Sequence, residues 1–71
     1  MNALELQQLK PSDKKNLKQI VAHIKTAYSR NWTETKLQSQ IAQSPVPTKY
    51  KTYIFSLIAK IYDDEIVNLP F

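Results

Sequence analysis

Not one of the 71 residues is glycine, and in so short a chain that removes whole classes of fold. Gly-rich phosphate loops, nucleophile elbows and the tightest hairpin turns all depend on a residue that visits positive φ freely. Nucleotide hydrolases and most small β folds are excluded together. The hydrophobic pattern points the same way. From Pro47 to Tyr62 the chain reads PTKYKTYIFSLIAKIY, its densest apolar run. At about 100° per residue, Tyr50, Ile54, Leu57, Ile58 and Ile61 share one helical face. Phe55, Ala59 and Tyr62 form a second row beside it, so the apolar arc is wider than one neighbouring helix covers. This helix needs partners on two sides, within a small bundle or across an interface with another protein.

Helix starts and stops are legible elsewhere. Residues 1–10 hold Leu4, Leu6 and Leu9 without a clean period, and they read as a loosely ordered arm ahead of Pro11. Ser12 is the expected cap of the first helix, with Asp13 at the positive end of its dipole. Leu17, Ile20, Val21, Ile24, Ala27 and Tyr28 then repeat at helical spacing, which excludes a strand. With no glycine to close this helix, Asn31 is the expected left-handed residue. Thr33 caps the second helix, and Trp32 and Leu37 occupy the two positions of a hydrophobic staple. Ser44-Pro45-Val46-Pro47 stops it, because a residue before proline is pushed out of the helical region. Pro47 suits the first position of the third helix, and Asp63-Asp64-Glu65 weaken that helix by opposing its dipole. Ile66 to Phe71 form a tail with apolar anchors. The expected architecture is a single all-α domain, a three-helix bundle with helices at about 12–30, 33–43 and 47–64, a loose N-terminal arm and a C-terminal tail.

A 71-residue chain lies near the lower size limit for a single hydrophobic core. It has no Cys, so disulfides and thiolate metal sites are closed to it, and a reducing cytoplasm is the expected compartment. No segment approaches the roughly 18 consecutive apolar residues of a membrane span. The net charge is +4, but residues 1 to 60 carry ten basic against three acidic side chains, hence +7. Such a field suits nucleic acid or an acidic protein partner.

No catalytic or metal constellation can be assembled. His23 is the only His and lies off the apolar stripe, as a solvated helical residue does. Asp63, Asp64 and Glu65 point in different directions on a helix and read as a solvated acidic end. Ser12, Ser29 and Ser44 have no catalytic neighbours. The chain is therefore not expected to be an enzyme or to carry a cofactor. Lys14, Lys18, Lys49 and Lys51, with Lys25, are the residues a DNA-binding reading would use, although the usual base-reading side chains are missing from the start of the third helix. The stronger signal is the ring count. Tyr28, Trp32, Tyr50, Tyr53, Phe55, Tyr62 and Phe71 exceed what a three-helix core of this size encloses. At least one of Trp32, Tyr53, Phe55 or Tyr62 is expected to be substantially exposed, as interface anchors are, unless the arm and the tail cover them.

Taken together, Leu9 before the first helix, Ala27-Tyr28 near its end, Trp32 just after it, Pro47 opening the third helix, Lys51-Thr52-Tyr53, and the closing Leu69-Pro70-Phe71 resemble the theta subunit family of bacterial DNA polymerase III and its phage-encoded homologues. The likeness runs over nearly the whole chain. The resemblance implies a non-catalytic accessory subunit that binds and stabilises epsilon, the 3′–5′ proofreading exonuclease subunit. Ring count and apolar excess, not a family motif, put the expected interface at Tyr28, Trp32, Leu37, Ile41, Tyr53 and Phe55. Two other readings stand beside it: a basic three-helix DNA-binding or phage-type regulatory protein using Lys14, Lys18, Lys49 and Lys51, and a small inhibitor acting by occlusion.

Overall fold

In a computed structural model that describes residues 2–71, four helices follow one another: α1 (Ala3–Gln7), α2 (Pro11–Ser29), α3 (Glu34–Ala42) and α4 (Thr48–Tyr62). Among the described residues there is no strand. The all-α bundle expected from the periodicity is what forms, with one helix more than the pattern announced. Residues 3–7 are not a loose arm. Asn2 Oδ1 accepts the Glu5 N–H at 2.8 Å and caps a short helix, and Leu6 is driven into the core at 3% exposure. Leu4, two residues earlier and so on the other side, stays outside.

α2 starts ahead of the expected Ser12 cap. Pro11 is its first residue and Lys10 its extended flanking residue, with no side-chain cap. Ser12 sits inside the first turn. Proline's fixed φ and missing N–H suit the first helical position better than any other, so it takes that place. At α4 the order is reversed, with Pro47 as the extended residue just outside and Thr48 as the first helical one. Thr33 caps α3 as expected, accepting the Lys36 N–H at 3.1 Å.

Both long helices close without glycine and in the same way. After α2, Asn31 takes φ 63°, the Trp32 N–H reaches the Ala27 carbonyl, and the Asn31 N–H reaches that of Tyr28. After α4, Asp64 takes φ 61°, the Glu65 N–H reaches the Lys60 carbonyl, and the Asp64 N–H reaches that of Ile61. This is the paired closure that a left-handed residue makes possible. Asn and Asp are the side chains other than glycine that tolerate it.

α4 packs against both α2 and α3, as its wide apolar arc requires. The core is wholly aliphatic: Leu6, Leu17, Val21, Ile24, Ala27, Leu37, Ile41, Ile54, Leu57, Ile58, Ile61 and Val67. All seven aromatic side chains lie in the half-buried shell around it, none fully enclosed and none fully exposed. The molecule measures 33 × 25 × 16 Å. At helix spacings of about 8–10 Å, that thickness holds one layer of aliphatic side chains and pushes larger rings to its margin. After α4 the chain turns back along α2. Val67 enters the core while the Lys25 Nζ donates to its carbonyl oxygen at 3.5 Å, and Phe71 ends beside Lys14 and Lys18.

Candidate protein-binding surface

The rings gather along the seam between α3 and α4. Phe55, Ala59 and Tyr62 follow one another at i, i+4 and i+7 on α4. Phe55 borders a shallow depression with Gln38, Ser39 and Ala42 of α3. Tyr62 lies at the other end of the seam, where its hydroxyl donates to the Trp32 carbonyl at 2.8 Å and its ring meets that of Tyr28 edge-on at 4.9 Å. Tyr28 in turn donates a hydrogen bond to Asp64, tying the ends of α2 and α4 together. Trp32 completes the corner. It lies edge-on to His23 at 6.0 Å and carries the Lys36 ammonium 4.2 Å above its ring. His23 is exposed but tethered, its Nε2 donating to Gln40 Oε1 at 2.7 Å and clipping α2 to α3.

Three tyrosines hold their protons more tightly than an ordinary phenol. For Tyr28 the hydrogen bond to Asp64 is the leading cause, and for Tyr53 and Tyr62 it is burial. All three are therefore neutral hydrogen-bonding or packing groups and carry no charge at physiological pH.

Of the six residues expected at the interface, Tyr28, Trp32 and Phe55 belong to this strip. Leu37 and Ile41 do not reach a surface: they are 0% and 6% exposed, the inward stripe of α3 lying directly beneath it. Tyr53 is two residues from Phe55 and so on the opposite side of α4. The expectation of a substantially exposed ring among Trp32, Tyr53, Phe55 and Tyr62 also fails, because each is half-buried by neighbouring side chains. Among the described residues, the large apolar side chains that stand out in water are Leu4 at 62% and Ile66 at 88%. Tyr62, not among the six, lies in the strip, and its place in the Phe55-Ala59-Tyr62 row is visible in the spacing.

The lysines do not make one patch. Lys14 and Lys18 stand 5.6 and 5.8 Å from the centre of the Phe71 ring. Lys51 instead donates to the Ala42 carbonyl at 2.8 Å, satisfying an end of α3, and Lys49 lies over Tyr50. Between these groups runs a groove of about 280 Å³, bordered by Asp13, Leu17 and Ile20 of α2 and by Pro45, Val46 and Tyr50. Among the described residues no three His, Cys, Asp or Glu side chains gather as a metal ion would require, and no helix is long and apolar enough to cross a membrane. The chain matches no family model, no curated protein and no solved structure.

Proposed function

We propose that this chain is a non-catalytic cytoplasmic binding module that docks a larger protein through the strip Phe55, Ala59, Tyr62, Trp32 and Tyr28. One observation carries the reading: among the described residues the buried core is made of twelve aliphatic side chains, so the rings are not needed inside, and four of them, Tyr28, Trp32, Phe55 and Tyr62, remain half-buried along one seam. Partly exposed aromatic side chains on a rigid seam, with small Ala59 leaving a gap between two rings, are the kind of surface from which interface anchors are drawn. The partner we assign is the 3′–5′ exonuclease subunit of a replicative DNA polymerase. That assignment rests on the resemblance to the theta family, and the helical bundle with its apolar band is compatible with it.

Mixing the purified chain with the exonuclease subunit encoded in the same genome tests the proposal. Co-elution in gel filtration and a higher melting temperature for the exonuclease are the expected results. Absence of a complex at micromolar concentrations of both proteins overturns the assignment. A four-lysine DNA-reading surface is the weaker alternative, since Lys49 and Lys51 are engaged at the α3–α4 junction, away from Lys14 and Lys18.

A further inference from the structure

The two flanks of α2 differ in charge. On the side of the groove stands Asp13, the only carboxylate of the helix. On the other side, Lys14, Lys18 and Lys25 follow at i, i+4 and i+11, spanning about 16 Å at 1.5 Å per residue, and the tail Ile66–Phe71 that lies along them has no acidic residue. Among the described residues the partners of their ammonium groups are not carboxylates. Lys14 and Lys18 face the Phe71 ring at 5.6 and 5.8 Å, and Lys25 reaches a backbone carbonyl. The positive end of the α2 dipole adds to the field at Lys14. The acidic run Asp63–Glu65 is held at the opposite end of the helix, where Asp64 meets Tyr28.

We infer that this flank binds single-stranded nucleic acid, with backbone phosphates on Lys14, Lys18 and Lys25 and a base stacked on Phe71. A half-buried ring with ammonium groups over it holds both features used to bind single strands: as the lysines turn outward to follow the backbone phosphates, the ring face they cover in this structure is freed to accept a base. An acidic peptide would use the ammonium groups and leave the ring face unused. The flank shares no residue with the aromatic strip, so a strand and a protein partner occupy separate surfaces.

Fluorescence anisotropy of a labelled oligodeoxythymidylate of roughly 12 nucleotides, within the usual range of single-strand site sizes, tests this on the full chain. Binding is expected in the range of roughly 1–100 μM at low salt, with a log–log salt slope of about −2 for three phosphate contacts. The double variant Lys14→Gln/Lys18→Gln should weaken binding at least about tenfold and reduce the slope to below about −1 in size. Phe71→Leu keeps apolar volume for the fold but offers no π face, and it should lose about tenfold, a stacking-sized effect. Lys49→Gln, outside the flank, should stay within about twofold of wild type, and a duplex of equal length should bind more weakly. Any one of four results overturns the inference: no binding by the wild type, wild-type affinity in Phe71→Leu, equal loss in Lys49→Gln, or duplex bound as tightly as the single strand. Thermal melts of each variant separate loss of binding from loss of fold. None of these outcomes bears on the exonuclease complex.

Discussion

Leu37 and Phe55 separate folding from binding at the level of single side chains. Leu37 has no exposed surface and sits among Ile24, Ile54 and Ile58, which are equally enclosed. Leu37→Ala should cost about 3 kcal/mol through lost burial and the cavity left behind, visible as a lower urea midpoint with no partner present. Phe55→Ala removes a ring from the margin and should cost less than half as much while weakening the protein complex. Equal losses of stability would mean that the rings belong to the core after all. The tyrosines give this molecule an alkaline limit. Tyr28, Tyr53 and Tyr62 hold their protons more tightly when folded than the ordinary phenol value of 10.0. Above that pH the unfolded chain releases protons that the folded chain retains, so the stabilisation present below pH 10 is lost as pH rises through the folded values. Melting temperature measured from neutral to strongly alkaline pH should fall beyond pH 10, and Tyr28→Phe should make that fall shallower.

Helix closure was the hardest problem for a chain without glycine, and it was only half legible. Asn31 was readable as a left-handed residue because it follows the last apolar position of α2. Asp64 was not, because a run of three carboxylates draws attention to the dipole they oppose and away from the conformation that a short side chain allows. The same closure at both sites makes a specific prediction. Asn31→Gly relieves the residual cost of φ 63° and should stabilise the protein by up to about 1 kcal/mol, a rise in melting temperature of about 4–8 °C in a chain of this size. Asn31→Val should lower it, and no change in either variant would show that the closure is unstrained. α1 escaped sequence reading for a different reason. Five residues make fewer than two turns, so Leu4, Leu6 and Leu9 cannot display a period, and the Asn2 cap that decides the matter is a single side chain. The inward faces of α2 and α4 were legible because each repeats its stripe over at least two turns, whereas Leu37 and Ile41 of α3 span little more than one turn, too little to separate an inward stripe from the interface expected there. The groove beside Ile20 was not, since Pro45 and Val46 reach it only through the path of the loop.

Taken whole, the molecule is two helices thick, with an aliphatic interior and an aromatic rim, and its total stability should be modest. At about 0.05–0.15 kcal/mol per residue, 71 residues give roughly 4–10 kcal/mol. A single core truncation is then a large fraction of the total, and a bound partner at a hundredfold excess over Kd adds about 2.7 kcal/mol. That coupling is reciprocal, so a small module that stabilises a larger protein is itself stabilised. Half-burial of the rings at the α3–α4 seam also favours affinity: anchors already held in place lose little side-chain freedom on docking. The chain supplies its own probe, because Trp32 is the only tryptophan and stands at the corner of the proposed interface. The most direct test is therefore the fluorine NMR signal of fluorotryptophan at position 32 during titration with the unlabelled exonuclease subunit. A shift that saturates near one equivalent, and is weakened by Phe55→Ala, is the predicted result; a signal that stays unmoved while the complex forms would contradict the account.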